Sequence, residues 1–499
     1  MAQLEERPFP PGRYPVVVIG SGPGALQVGL DLRACGIHHA ILSADPGPGG
    51  MFRRFPIFQR LISWTKRYPV ADGEPRLEAG LYDWNSLIAD DPSHVPTMSE
   101  HANDDSYFPT RLQMEQGLTA FAERERIAVR YDCTWEATRR PDDGFVLVTS
   151  DGEYHCKVAV FAVGMTQAWK PPGIPGLEDV PHYVETKAPE QYAGQKVFVM
   201  GKRNSGMELA DGLLPWVKQL FVASPRPFQT ALASHSVGAA RARYLQPYED
   251  HVLGGGNLVL DAAIERVERT AGGYRVHVKG TTRAMDLALD VDAVIAATGF
   301  TTPLLDLPQL GVATFSQDRL PAQTPFWESP TVPGIYFAGS VTQGAAGLMK
   351  YGIASSSGAV HGFRHNARVL ARHIAEKHFD RPPARQRMPR DEAAGFLLRQ
   401  ATASSALWNQ KSYLAHVVGL EKGAAVDHGL APLAHWIDSP EADAAAIAVE
   451  TDAGGDIHPA VYLKRAGRVE EHLLEGHPLL DFSTPDHRSA LDAVLSSFA

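Results

Sequence analysis

The sequence predicts an α/β fold made of two parallel-sheet units, one inserted into the other, followed by a small α+β unit. Three observations carry this reading. An apolar strand runs into a glycine turn and a helix twice, at Pro15–Asp45 and again at Gln195–Leu214. Two further strands, VAVFAVG (Val158–Gly164) and DAVIAATGF (Asp292–Phe300), end in small-residue turns of the kind found where a chain crosses between units. After Phe379 the run DRPPARQRMPRD reads as a linker, and nothing beyond it repeats the glycine turns. The boundaries that follow are 1–165 with 290–379 for the outer unit, 166–289 for the inserted unit, 380–390 for the linker and 391–499 for the last unit.

The bulk properties agree and narrow the function. A chain of 499 residues exceeds what one core serves, and 44% apolar residues can fill several. The net charge of -10, with no long basic run, argues against a nucleic-acid partner and leaves small molecules. Cys35, Cys133 and Cys156 are the only cysteines and form no CxxC, which suits a reducing cytoplasm. The N-terminus lacks a signal-like apolar stretch, and no run approaches the roughly 18 apolar residues of a membrane span, so a cytoplasmic protein without a membrane partner is expected. Neither GxSxG nor HExxH occurs.

In the first turn, GSGPGA, Gly20 permits the sharp bend, Gly22 lets the backbone approach a pyrophosphate, and Ala25 fills the small third position. A turn of this form between a strand and a helix is the dinucleotide fingerprint of a Rossmann-like domain, with the phosphates at the helix N-terminus. Where an acidic residue would hold a ribose the chain has Ser43; Asp45, two residues on, either takes that role through a shifted turn or solvates a loop. The second turn, GKRNSG, keeps Gly201 and Gly206 but carries Arg203 at the middle position, a guanidinium able to pair with phosphate. The next strand ends in SPRP, putting Ser224 and Arg226 where a 2′-phosphate would lie, so NADPH is preferred over NADH.

Later in the outer unit GIYFAGS is a strand, and TQGAAGLMKYGIASSSGAVHGF reads as a small-residue helix. His361 and His365 fall four apart on it, a spacing open to metal but without a third ligand, so packing is the expected role. The C-terminal unit starts helical (EAAGFLLRQATASS, then SYLAHVVGL) and turns strand-like at AAIAVET and PAVYLKR. It is expected to be a dimerisation or capping module without chemistry of its own.

Taken together, GSGPGA, Gly49-Gly50 before Met51-Phe52, the VAVFAVG and AATGF turns, and GKRNSG resemble the two-dinucleotide-domain flavoproteins, among them flavin monooxygenases, N-hydroxylases and thioredoxin reductases. FPIFQRLISWTKRY, YDWNSL and SYFPTRLQMEQGLTAFAERERIAVRY look closest to the bacterial relatives of the endoplasmic-reticulum flavoprotein linked to protein degradation. The resemblance covers roughly Tyr14 to Phe379. It implies FAD on Gly20, Gly22, Pro23, Gly24, Ala25, Gly50, Met51, Phe52, Gly339 and Ser340, with Asp45 as the ribose candidate and Trp64 near the flavin. It implies NADPH on Gly201, Lys202, Arg203, Asn204, Ser205, Gly206, Ser224 and Arg226, with Gly164, Thr298 and Gly299 at the crossings. Lys66 and Arg67, just after Trp64-Thr65, are the candidate catalytic groups, equally able as loop charges to be solvated.

Two departures stand out: the monooxygenase fingerprint FxGxxxHxxx(Y/F) is absent, with His182 and Tyr183 in a comparable place, and Trp64-Thr65 replace the flavin-side asparagine. The expected reaction is reduction of FAD by NADPH, followed by transfer of one oxygen atom from a flavin hydroperoxide, formed with O2, to an amine or sulfide. An NADPH oxidase or electron-transfer reductase is the alternative.

Overall fold

The computed structural model describes residues 7–61, 84–96, 98–101, 109–231, 239–345, 355–440 and 443–496. The chain divides into two compact units: Met1–Met51, Ser63–Gly164 and Leu304–Ala499 make one, Phe52–Ile62 and Met165–Pro303 the other.

The first unit opens with β1 (Gly12–Ile19), α1 (Pro23–Ala34) and β2 (His39–Leu42), continues through α2 (Arg111–Arg124), β3 (Trp135–Arg139), β4 (Phe145–Thr149) and β5 (Gly152–Phe161), and resumes after the inserted segment. Its sheet has the order β2-β1-β5-β4-β3, with Ile335–Phe337 pairing parallel to Ala159–Phe161 beside β4. β1 is parallel to both neighbours, Val16 facing His39 and Val158. Val16, Val17 and Val18 are fully buried, which is why β1 reads as a continuous apolar run rather than an alternating one. α1 is buried along most of its length, and Gly29 lets it lie against β2: a Cβ there would stand 2.3 Å from Ile41 Cδ1.

The second unit holds β6 (Lys196–Met200), α3 (Asn204–Leu213), β7 (Gln219–Ser224), β8 (Leu258–Thr270), β9 (Gly273–Gly280), β10 (Asp286–Val291) and β11 (Ala293–Ala296). The sheet order is β10-β9-β8-β7-β6-β11, parallel from β8 to β11 and antiparallel through β9 and β10. Phe198, Val222 and Val294 lie in its core.

Back in the first unit, β12 (Ile335–Phe337) leads to α4 (Val360–Phe379), and the remaining chain forms β13 (Gln386–Pro389), α5 (Ala393–Ala403), α6 (Ser405–Asn409), β14 (Leu414–Glu421), β15 (Ala424–Pro432), α7 (Leu433–Asp438), β16 (Ala444–Thr451), β17 (Ile457–Arg465), β18 (Arg468–Leu473) and α8 (Pro485–Ser496). These strands make one antiparallel sheet, β13-β15-β14-β16-β17-β18. Trp327, fully buried, stacks on Tyr413 at 5.8 Å, and the Tyr413 hydroxyl donates to the Pro325 carbonyl at 2.8 Å.

Three expectations are corrected. SYLAHVVGL is strand β14, not helix: Leu414–Leu420 is buried throughout, so the alternation that marks a half-exposed strand is missing. Part of the linker, Gln386–Pro389, pairs with β15 at the sheet edge, where a proline is tolerated. Of the helix expected at TQGAAGLMKYGIASSSGAVHGF, residues 346–354 lie outside the described residues; the described part is a 3-10 turn at Gly339–Gly344, irregular chain at 355–359 and the start of α4 at Val360. Thr342 stabilises that turn by donating its hydroxyl to the Gly339 carbonyl at 2.8 Å. Among the described residues no helix is long and apolar enough to cross a membrane.

Candidate functional site

The first glycine turn is a place where the chain meets itself. Gly20 has φ +129, and a Cβ on it would lie 2.5 Å from the carbonyl oxygen of Ala162. A Cβ on Gly24 would stand 2.4 Å from Gly339 Cα, and one on Gly50 would stand 2.8 Å from Gly22 Cα. Three separate stretches of backbone therefore converge at the start of α1. Gly22 caps that helix without a side chain, and Pro23 takes its first position, where no N–H is needed. The Ala25 amide bonds the Gly22 carbonyl at 3.0 Å, and the Gly24 amide with the positive end of the helix is left for a ligand's oxygen atoms. A glycine cradle that any Cβ would fill, over a helix start with no side-chain cap, suits the pyrophosphate of FAD.

The other predicted FAD residues fall around this cradle or at its edges. Ala25 is fully buried in the third position. Ser21 donates to Asp45 at 3.1 Å, and Ser43 both donates to Ser21 Oγ at 2.8 Å and accepts the Asp45 amide at 3.1 Å. Asp45 is thereby tied to the glycine turn. Met51 follows Gly50 in a short 3-10 turn, and Ser340 lies next to Gly339. Phe52 clusters with the second unit. Gly164, with φ +67, ends the first unit's segment after β5. Trp64, Lys66 and Arg67 lie outside the described residues.

The second unit repeats the plan with one change. Gly201 has φ +122 with a would-be Cβ 2.3 Å from the Ala297 oxygen, and a Cβ on Gly206 would stand 2.0 Å from the Gly201 oxygen. Arg203 is the N-cap of α3, again with no side-chain cap. Its guanidinium is exposed and has no partner among the described residues. Arg226, two residues past the end of β7 at Ser224, is exposed in the same way. Other predicted contacts have their polar groups engaged within the protein. The Lys202 ammonium is buried on Asp261, and Asn204 accepts the Arg241 amide at 3.2 Å. Ser205 begins α3 partly exposed. Thr298 donates to the Trp169 carbonyl at 2.6 Å, and the Gly299 carbonyl accepts the Trp169 amide at 3.1 Å and His182 Nε2 at 2.9 Å. Among the described residues, the predicted contact cations left without a partner are thus Arg203 in the turn and Arg226 past β7.

A buried acid escaped the sequence reading. Glu208 and Asp211 sit one turn apart on α3, 1% and 4% exposed. Glu208 accepts the Phe58 amide at 2.8 Å and the Tyr183 hydroxyl, which itself accepts the Ile57 amide at 3.0 Å. Asp211 pairs with Arg60, whose carbonyl accepts the Tyr244 hydroxyl at 2.7 Å. These bonds fix Phe52–Ile62 onto its unit. Burial pushes the Glu208 carboxyl up to about 7, against the pull of Tyr183, the Phe58 amide and Arg60. The available signal was two carboxylates three residues apart in the otherwise apolar helix NSGMELADGL.

A second missed network reaches the first glycine turn from Gln410, the residue that ends α6. Gln410, fully buried, donates to Asn366 Oδ1 at 2.5 Å and to Ser357 Oγ at 3.1 Å. Asn366 donates to Thr342 Oγ1 at 3.1 Å, and Thr342 to the Gly339 carbonyl. His361 packs at a tilt against Trp84, ring centroids 4.5 Å apart, and burial, together with the charge of Arg364, holds the His365 imidazole well below the usual range. Among the described residues no group of three potential metal ligands forms.

Two parallel-sheet units, each opening on a glycine turn that suits a dinucleotide, are the plan of oxidoreductases that use FAD and a pyridine nucleotide. The sequence profile of the pyridine nucleotide-disulphide oxidoreductase family matches residues 17–339, and the chain belongs to that family. It is 28% identical over 451 residues to FAD-dependent oxidoreductase domain-containing protein 2 of Mus musculus, a match that takes in 82% of this chain and 64% of the mouse protein. The chain thus spans less than two thirds of that relative. It is 26% identical over 321 residues to a ferredoxin–NADP reductase of Thermus thermophilus, covering 61% of this chain and 85% of that one. A solved flavin-containing monooxygenase from Stenotrophomonas maltophilia shares the fold with a TM-score of 0.56, at 19% identity, over 73% of this chain and 99% of its own.

Proposed function

We propose that this chain is an NADPH-dependent flavin monooxygenase. Electrons would leave the flavin directly for dioxygen, and one oxygen atom would enter a soft nucleophile such as an amine or sulfide. The balance is NADPH, a proton, O2 and substrate giving NADP+, water and oxygenated substrate. The observation that carries direct transfer is the state of the thiols. All three cysteines are free, Cys133 and Cys156 are buried, and burial raises each thiol, Cys156 to about 12. A dithiol relay needs an accessible, readily ionised thiol next to a second one.

FAD, when bound, supplies the two-electron chemistry. The backbones of Gly20, Gly22, Gly24, Gly50 and Gly339 would hold its pyrophosphate, with Asp45 at the ribose. Arg203 would meet the NADPH pyrophosphate, and Ser224 with Arg226 its 2′-phosphate. The task left to the chain is to orient both cofactors and keep water from the reacting atoms.

One observation favours electron transfer without oxygen insertion. His182 and Tyr183, at the sequence position comparable to the monooxygenase fingerprint, have their side chains engaged by Gly299 and Glu208. Turnover with NADPH under 18O2, with a panel of amines and sulfides, separates the readings. Labelled product at one NADPH per oxygen atom supports insertion. Hydrogen peroxide matching NADPH consumption with every substrate, and no labelled product, overturns it.

A further inference from the structure

The linker, α4 and the end of α1 border an open cleft, with Arg372 and Arg381 exposed on its rim, that neither glycine turn uses. It has a volume of about 310 Å³ and is lined by Asp31, Cys35, Asp90, Arg368, Arg372 and Arg381. That is the lower end of the size of small-ligand sites. The charges are not balanced in pairs. Arg368 takes both carboxylates, donating to Asp31 at 3.2 Å and to Asp90 at 2.9 Å, and Gln27 donates to the second Asp31 oxygen at 3.0 Å. Arg381 spends a donor on the Gly36 carbonyl and keeps the rest of its fork. Arg372, one helical turn beyond Arg368 on α4, makes no hydrogen bond or close ion pair among the described residues, and its charge acts on Asp31 and Cys35 from farther off.

Two guanidiniums with open donors, lining one concave site whose acids are already committed, form an anion receptor. Arginine forks match carboxylate and phosphate oxygens two at a time. The carbonyl end of α1 opposes an anion, but only as a partial charge against two full ones. Ala34, Pro382 and Pro383 complete the wall with apolar surface.

We propose that this cleft binds a small organic dianion of the phosphate or carboxylate class, its charged end on Arg372 and Arg381 and its body against Ala34, Pro382 and Pro383. The run DRPPARQRMPRD is then more than a connector, since it brings Arg381 and the prolines to the site.

Cys35 offers the readout, because it lines the cleft while Cys133 and Cys156 are buried. The flavin-loaded full chain is labelled with N-ethylmaleimide, and Cys35 modification is followed by peptide mass spectrometry. Inorganic phosphate and succinate are compared with chloride at equal ionic strength. Protection of about fivefold is expected once the better anion exceeds its Kd severalfold, and which of the two protects assigns the class. Arg372→Ala should abolish protection relative to its own chloride control. Asp90→Asn should strengthen it by releasing Arg368, a gain that a loss of structure would not produce. No protection by either anion up to about 50 mM, above the Kd of any useful small-anion site, overturns the proposal, as does undiminished protection in Arg372→Ala.

Discussion

At the middle of the fingerprint the first unit has Gly22 and the second Arg203, yet the backbone is nearly the same, with φ -75 and ψ 176 against φ -94 and ψ -170. Neither is a conformation that only glycine adopts. A Cβ on Gly22 would meet nothing nearer than Gly50 Cα at 3.6 Å. Gly20 and Gly201, by contrast, both have positive φ and both press on a carbonyl oxygen. Glycine is demanded at the first position by the chain itself. At the middle position the chain itself permits either residue, and the difference follows from the proposed ligands, FAD closely approached by backbone in one unit and a nicotinamide cofactor met by a guanidinium in the other.

The parallel extends five residues past each helix cap. Gln27 of α1 accepts the Ile88 amide at 2.8 Å and donates to the Ile88 carbonyl at 2.9 Å. Glu208 of α3 accepts the Phe58 amide. Each helix grips a passing segment from the same position, one with an amide and one with a carboxyl.

The largest expected effect separates chain from ligand. Gly24→Ala drives a methyl into the Gly339 backbone and should lose most bound FAD, with a cost of about 1–3 kcal/mol in the apoprotein as well. Gly22→Ala should also lose most FAD while leaving apoprotein stability within about 0.5 kcal/mol of the parent. Flavin absorbance and apoprotein denaturation measure both, and equal destabilisation in the two variants would break the distinction.

Next in size, Arg226→Ala should raise KM for NADPH about ten- to hundredfold and leave NADH nearly unchanged, since charge-assisted bonds to the 2′-phosphate are worth about 1.5–3 kcal/mol each. Arg203→Ala should weaken both cofactors together, by about tenfold for one such contact. Steady-state flavin reduction with each cofactor decides, and a selective NADPH loss in Arg203→Ala would exchange the two roles.

A test by pH addresses the gripping position. The Glu208 carboxyl is raised from 4.5 to about 7 in the folded chain. The fold therefore favours the protonated form, and this contribution is complete below pH 4.5 and lost as pH rises through 7. Glu208→Gln makes α3 resemble α1 at this position and cannot ionise. The stability of the parent relative to the variant should fall by about 3 kcal/mol between those limits and stay level outside them. Denaturant unfolding at a series of pH values measures it, and a difference independent of pH would remove Glu208 as the titrating group.

The glycine turns, their strands and the end of α4 at Phe379 were legible because each is written in a few neighbouring residues: a φ that only glycine takes, a run of β-branched residues, a proline-rich run just past Phe379. Strand β14 was not, since a strand buried on both faces shows no alternation to separate it from a helix. The engagement of Lys202 by Asp261, the grip of Glu208 on Phe58 and the path from Gln410 to Gly339 were decided by tertiary structure alone. Phe58 and Glu208 are 150 residues apart, Gln410 and Asn366 44. Local periodicity and turn chemistry determine which residues are buried. Which buried polar group meets which depends on how distant segments pack, and no short window of sequence contains that.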